Sequence, residues 1–78
     1  MDVEPSATKH GITEDDARHA ARHALRTVPQ DDRDPYRLLV IGVDRAGRLL
    51  EIVVLEPETR PRIIHAMLLR ASFYRYLD

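Results

Sequence analysis

The residues of this chain that can do chemistry are histidines and basic side chains, because it contains no cysteine. Histidine is the side chain that exchanges protons near neutral pH. Eleven of the twelve Lys and Arg residues are arginine, whose planar fork suits bidentate contacts to phosphate or carboxylate. This bias permits RNA or an acidic protein as a partner. It is equally typical of a high-GC genome.

Other chemistries find no support in the sequence. His19 and His23 have the spacing of a metal-binding pair on a helix, but no third ligand is evident, so we expect a solvated helix face and no metal or other cofactor. There is no glycine-rich phosphate loop, and Ser72 has no catalytic partner. Nucleotide hydrolysis and serine catalysis are therefore set aside.

The helical part of the chain is predicted to begin at residue 14. Thr13 has the position of an N-cap, and three acids follow it in the first turn, where they complement the helix dipole. Small apolar residues then recur at helical spacing up to Val28, which precedes Pro29. We expect a helix over residues 14–28 and an exposed acidic loop over residues 29–35.

The second half of the chain is predicted to form a sheet. The apolar segments Arg37–Val43 and Arg48–Leu55 flank a turn and indicate a β-hairpin, and Arg62–Met67 follows as a third strand. Residues 70–77 favour a short helix. The expected fold class is α+β, with the N-terminal helix packed on a three- to four-stranded antiparallel sheet and a short C-terminal helix.

The length of 78 residues allows one domain, which we place over residues 1–78 with a flexible lead-in at 1–8. The sequence has no membrane span and begins with acidic residues unlike those of a secretory signal, so a cytoplasmic location is expected. Residues 36–78 carry seven Arg and five acids, whereas residues 1–35 carry eight acids and five bases. The predicted sheet half is the basic half.

Four short segments follow one another in a distinctive order. They are Lys9–Ile12 (KHGI), Arg37–Gly42 (RLLVIG), Gly47–Leu50 (GRLL) and Arg62–Ala66 (RIIHA). Over roughly residues 9–76 this order resembles the BrnT-type toxins of bacterial toxin–antitoxin pairs, a RelE-like ribonuclease family.

The chain departs from that pattern in three places. It lacks the strand and helix that usually precede the first segment, and it has His65 where the family has serine. Met67 stands where the family has arginine, and Arg70 is close enough in sequence to compensate.

The resemblance implies a toxin that cleaves RNA, with mRNA as the expected substrate, and is neutralised by a DNA-binding antitoxin. Metal-free RNA cleavage needs a base for the 2′-hydroxyl, cations for the phosphorane and an acid for the leaving oxygen. We assign catalytic roles to His65, His10, Arg62 and Arg37. We assign RNA-phosphate binding to Lys9, Arg48 and Arg70.

Structural roles compete with these assignments. His10 can simply order the start of the helix, and His65 can be satisfied by a backbone carbonyl. Arg37 and Arg62 begin strands, where arginine often protects a sheet edge. The alternative to the enzyme is a non-catalytic protein-binding module of the same family. A homodimer is compatible with either function, because a small core and an open sheet edge both gain from pairing.

Overall fold

Five β-strands form one sheet in the computed structural model, which describes all 78 residues. The strands are β1 (Asp2–Val3), β2 (Ala24–Gln30), β3 (Arg37–Val43), β4 (Leu49–Leu55) and β5 (Arg62–Leu68). Their order across the sheet is β1-β5-β4-β3-β2. β1 runs parallel to β5, and all other neighbours are antiparallel. The α+β class is confirmed, but the sheet is mixed and larger than predicted.

The only α-helix, α1 (Glu14–Arg22), begins where the sequence predicts. The Thr13 hydroxyl accepts a hydrogen bond from the Asp16 amide at 3.1 Å, which satisfies one free amide of the first turn. Two 3₁₀ helices complete the fold, at Pro5–Thr8 and Ala71–Leu77. No helix is long and apolar enough to cross a bilayer.

The chain after α1 turns into a strand, which corrects the prediction that the helix continues to Val28. The β-branched residues Thr27 and Val28 fit a strand as well as a helix, and β2 pairs with β3 along its length. Pro29 is tolerated because β2 lies at the edge of the sheet, where one missing N–H need not break a ladder. The acidic loop therefore begins at Asp31 and not at Pro29.

The predicted hairpin of β3 and β4 is confirmed, and a buried carboxylate organises its turn. Asp44, only 2% exposed, accepts hydrogen bonds from the amides of Ala46 at 2.9 Å and Arg48 at 2.8 Å. Gly47 adopts a positive φ of 82°, a conformation that costs glycine little. Burial raises the pKa of Asp44, but the hydrogen bonds from Arg48 and Ala46 outweigh it and hold that pKa below its ordinary value.

Residues 1–8, predicted as a flexible lead-in, contain β1 and the first 3₁₀ helix. Asp2 and Val3 pair with Arg62 and Ile63 of β5, and Ala7 in the first 3₁₀ helix is fully buried. The Ser6 hydroxyl donates to the carbonyl of Ile64 at 2.9 Å. This segment therefore covers part of the β5 edge, where unpaired backbone groups would otherwise face water.

The two faces of the sheet have different roles. α1 packs on the first face, whose core includes Val40, Ile52 and Ile63. Because side chains alternate along a strand, Leu39 and Val53 point to the opposite side, which we call the second face. The C-terminal 3₁₀ helix lies near β2 on this side, where the Arg26 guanidinium donates to the Leu77 carbonyl at 3.4 Å.

A close backbone approach fixes α1 on the first face. A Cβ atom at Gly42 of β3 would overlap the carbonyl oxygen of Ala20, and it would lie 2.8 Å from the carbonyl carbon. It would also lie 3.0 Å from the carbonyl oxygen of His23. The opposing atoms are backbone, so only a movement of the helix could relieve the overlap.

We therefore expect Gly42→Ala to lower the free energy of unfolding by about 3 kcal/mol, at the upper end of the range for overpacking. Urea denaturation followed by circular dichroism measures this change. Gly47→Asn is the matched control, because Gly47 has open space around its Cβ position and Asn tolerates a positive φ. An equal loss in the two variants would contradict the proposed close approach.

Candidate functional site

A cleft of about 260 Å³ opens on the second face of the sheet, and we call it the second-face cleft. It lies among β3, β4, β5, the end of β2 and the C-terminal 3₁₀ helix. Its polar lining consists of Gln30, Arg33, Arg37, Glu51, His65 and Arg70. The remaining wall is apolar. Three guanidinium groups, one histidine and one carboxylate therefore line the same cleft.

Strand register brings the central residues together. Glu51 of β4 lies opposite Met67, and Val53 lies opposite His65 of β5. Glu51 and His65 are thus diagonal neighbours on the second face, a distance that long side chains can bridge. Arg70 follows just beyond the end of β5, where the chain turns back over this face.

The carboxylate of Glu51 is fully buried and accepts three hydrogen bonds. Its donors are His65 Nε2 at 3.0 Å, Arg70 Nε at 2.9 Å and the Arg70 amide at 3.1 Å. Arg70 Nη2 lies 2.7 Å from the same carboxylate and completes an ion pair with it. Burial alone raises the pKa of Glu51, but the hydrogen bonds from Arg70 and His65 outweigh it and hold the pKa below its ordinary value. Glu51 is therefore negatively charged at neutral pH.

This charge determines how the His65 ring is protonated. An ionised carboxylate only accepts hydrogen bonds, so the Nε2 atom that contacts it must carry a proton. In the neutral imidazole the other nitrogen, Nδ1, then has a free lone pair. Glu51 thus fixes the orientation and the tautomer of the His65 ring, as a buried carboxylate does for the histidine of a catalytic triad.

His10 lies beside His65, just outside the set of residues that line the cleft. The ring centroids are 5.5 Å apart and the ring planes meet at 73°, an edge-to-face contact. His10 occupies the turn before α1, and Gly11 next to it has a positive φ of 86° that allows this turn. A loop and a strand from opposite ends of the chain therefore place two imidazoles together.

Two arginines of the cleft are free to bind an anion. Arg33 and Arg37 form no ion pair, and the Nε atom of Arg37 is buried without a hydrogen-bond partner. Because no carboxylate neutralises these two arginines, their charges are available to an anion in the cleft. Arg70 also lines the cleft, but its charge is already paired with Glu51.

Two predicted site residues, Arg62 and Arg48, lie outside the second-face cleft. Arg62 is paired with Glu56 at 2.8 Å and lies 3.8 Å from Glu4, and its side chain is only 13% exposed. Arg48 is paired at 2.6 Å with the buried Asp44 of the hairpin turn. Neither arginine lines the second-face cleft, because nearby carboxylates hold both side chains in structural ion pairs.

Three other side chains that the sequence singles out are Lys9, His19 and His23. Lys9 is exposed beside His10 and forms no ion pair. His19 and His23 stack at 4.0 Å, and each Nδ1 contacts a backbone carbonyl, that of Val43 for His19 and that of His19 for His23. No group of three or more histidine, cysteine, aspartate or glutamate side chains could hold a metal ion.

Sequence reasoning missed four polar or aromatic residues of the cleft. These are Gln30, Arg33, Glu51 and Phe73. Glu51 had a detectable signal, because it is the only charged residue inside the apolar segment of β4. A charge in such a position either faces solvent or needs a buried partner. Gln30 and Arg33 could not be placed, because the strand that positions them was predicted as a helix and a loop.

No protein-family model, curated protein or solved structure matches this chain. The geometry of the cleft and the motifs of the sequence are therefore the grounds for assigning a function.

Replacing Glu51 tests whether its charge holds the site together. A lowered folded-state pKa contributes stability above the ordinary range of carboxyl pKa values, and this contribution is lost as the pH falls through the folded-state pKa. We expect Glu51→Gln to lower the free energy of unfolding by about 1–3 kcal/mol near neutral pH. This difference from the wild type should shrink below roughly pH 4, where carboxyl groups protonate.

Urea titrations at several pH values measure the difference between the variant and the wild type. Glu58→Gln serves as the control, since Glu58 is exposed and forms no ion pair, and it should change little at any pH. A deficit in Glu51→Gln that stayed constant with pH would show that shape, and not charge, holds the residue in place.

Proposed function

We propose that this protein is a metal-independent endoribonuclease of the toxin class, acting at the second-face cleft. The observation that supports this most strongly is the pairing of two groups in one cleft. One is His65, whose Nε2 is held by the buried Glu51. The other is Arg37, whose buried Nε has no partner. A base with a defined tautomer and an unpaired cation are what phosphodiester cleavage without a metal requires.

The proposed reaction uses the RNA's own 2′-hydroxyl as the nucleophile. His65 Nδ1 accepts the 2′-hydroxyl proton, and the 2′-oxygen forms a bond to phosphorus. The bond from phosphorus to the 5′-oxygen breaks, and His10 in its protonated form donates a proton to that leaving oxygen. The products are a 2′,3′-cyclic phosphate and a 5′-hydroxyl. Arg37 and Arg33 stabilise the negative charge of the phosphorane.

The family resemblance extends this proposal beyond the cleft. BrnT-type toxins have a RelE-like fold, and an α+β chain with a helix on one face of its sheet is compatible with that assignment. In this proposal the protein acts in the cytoplasm on mRNA, inhibits translation and is neutralised by a DNA-binding antitoxin. A toxin of this class has no need of a metal or other cofactor.

The alternative is a non-catalytic binding module, and the ion pairs favour it at two positions. Arg62, to which we assign a catalytic role, and Arg48, to which we assign phosphate binding, are both engaged by carboxylates. A homodimer remains compatible with either function. The two functions differ in whether the chain cleaves RNA.

The test combines cells and purified protein. We expect induced expression of the wild type to arrest growth with loss of RNA, and the pure protein to cleave an RNA oligonucleotide in EDTA. His65→Gln should lower the cleavage rate by on the order of 10²–10⁴, because general base catalysis is lost. Arg37→Gln should lower it by on the order of 10²–10³, because one charge-stabilising donor is removed.

Arg60→Gln is the matched control, because Arg60 is exposed and lies outside the cleft. Circular dichroism should show that all variants are folded, and chromatography should identify the cyclic phosphate. If wild-type expression is harmless and RNA stays intact, the binding module is the better account. If Arg60→Gln is as impaired as Arg37→Gln, the cleft is not the site.

A further inference from the structure

The two edges of the sheet differ in how they are covered. At one edge, β1 and the first 3₁₀ helix cover part of β5, and the Ser6 hydroxyl donates to the Ile64 carbonyl at 2.9 Å. At the other edge, β2 has no strand on its outer side. Five of the seven residues of β2 are exposed, among them Leu25 with 48% of its surface. An open strand edge of this length is a template for pairing with a further strand.

The backbone of β3 bonds alternately to its two neighbours, which determines the groups that β2 has left for its outer side. The amide of Asp44 donates to the Arg48 carbonyl at 3.0 Å, and the amide of Glu56 donates to the Tyr36 carbonyl at 2.9 Å. These bonds continue the β3–β4 ladder beyond both ends, so the even-numbered residues of β3 bond to β4. The odd-numbered residues of β3 then bond to β2.

The backbone of Thr27 points away from the sheet. Leu39 of β3 is odd-numbered and pairs with Val28, so Val28 bonds to β3. Its strand neighbours Thr27 and Pro29 therefore point outward. Because proline has no N–H, the outer side of β2 offers the N–H and the carbonyl of Thr27 but only a carbonyl at Pro29.

The carbonyl of Leu25, two positions before Thr27, is not available to another strand. It accepts a hydrogen bond from Nη1 of Arg26 at 2.7 Å. A β-bulge between Ala24 and Arg26 also takes Leu25 out of the regular ladder. On either side of Thr27 the edge therefore lacks one group, a donor at Pro29 and an acceptor at Leu25.

A second β2 strand that runs antiparallel and is centred on Thr27 matches this edge. Thr27 of each copy then lies opposite Thr27 of the other, and the two residues exchange both of their hydrogen bonds. Pro29 of one copy lies opposite Leu25 of the other. The donor that Pro29 lacks would have met the acceptor that Leu25 cannot offer, so neither loss leaves a group unpaired. A strand of ordinary sequence would instead leave its own groups unpaired at both positions.

The side chains are compatible with the same register. Leu25 lies opposite Pro29, so exposed apolar surface of both copies becomes covered. Arg26 lies opposite Val28, so no two arginines are directly opposed. The Arg26 guanidinium is held by the carbonyls of Leu25 and Leu77 of its own chain. At the centre, a pair of threonines is one of the cross-strand pairs that stabilise sheets.

We propose that β2 is the interface of a homodimer, in which two copies pair antiparallel about a twofold axis at Thr27 and form one continuous sheet. The axis is perpendicular to the sheet, so the second-face clefts of both copies open on the same side. One strand edge is smaller than a standard protein interface, so the association depends on concentration. This inference does not depend on the proposed function, because Thr27 does not line the cleft.

Analytical ultracentrifugation of the full chain at several protein concentrations tests the proposal. We expect the average mass to rise with concentration from 9.0 kDa toward twice that value. Thr27→Lys should raise the dissociation constant at least about tenfold, because the two introduced charges lie directly opposite each other. Thr27→Glu should do the same for the same reason. Thr59→Lys is the matched control, because Thr59 is exposed in the turn between β4 and β5.

A mixture of the two charged variants tests the register. Position 27 faces only itself across the proposed axis, so mixing Thr27→Lys with Thr27→Glu brings opposite charges together. The mixture should dimerise at concentrations at which neither variant does so alone. Circular dichroism should show that every variant is folded.

The following results would overturn the proposal. The wild type stays at 9.0 kDa at every concentration, or folded Thr27→Lys dimerises as tightly as the wild type. The mixture of Thr27→Lys and Thr27→Glu stays monomeric, which would exclude a register centred on Thr27. The wild type grows beyond a dimer, which would show that β2 accepts strands in more than one way.

Discussion

The burial of one carboxylate, that of Glu51, constrains the whole second face of the sheet. Moving an ionised carboxylate out of water costs several kcal/mol unless close partners replace the lost hydration. Glu51 is fully buried between two apolar neighbours of the same strand. Its three hydrogen bonds come from His65 in β5 and from Arg70 beyond it, and Arg70 also supplies the opposite charge. Neither partner can leave without exposing a buried charge to an apolar environment.

Because Glu51 needs these partners, it holds together segments that are distant from one another along the chain. The amide and side chain of Arg70 both donate to Glu51, so the start of the C-terminal segment is fixed above β4. That placement brings Phe73 over the sheet as a wall of the cleft. The same carboxylate fixes the proton on His65. One buried charge therefore determines the shape of the cleft and the chemistry of its histidine.

The sequence predicted those features that depend on neighbours in the chain. The Thr13 cap, the hairpin and the third strand all follow from local signals, and the structure confirms them. The sequence did not predict β2, because Thr27 and Val28 fit either a helix or a strand. The choice is made by pairing with β3, where the partners of Thr27 and Val28 lie thirteen and eleven positions further along the chain. The β1 pairing with β5 is missed for the same reason.

Local sequence signals are also insufficient to identify the site residues. The two arginines that begin strands show why. Arg37 and Arg62 have equivalent positions in the sequence, each at the start of an apolar strand. Arg62 lies close to the carboxylates of Glu56 and Glu4, whereas no carboxylate pairs with Arg37. The side chain type predicts that either can hold phosphate. Only the tertiary placement of the acids decides which one remains free.

For anion binding, the positions of the charges in the fold matter more than the net charge of the chain. The chain has a formal charge of −1, which by itself gives no reason to expect an anionic ligand. Three of its acids, however, form ion pairs with arginines: Asp44 with Arg48, Glu56 with Arg62, and Glu51 with Arg70. Arg33 and Arg37 remain without a carboxylate, and both line one cleft. Because charges in a concave, partly apolar site act through a lower dielectric than charges in water, two unpaired arginines there attract an anion more strongly than the net charge indicates.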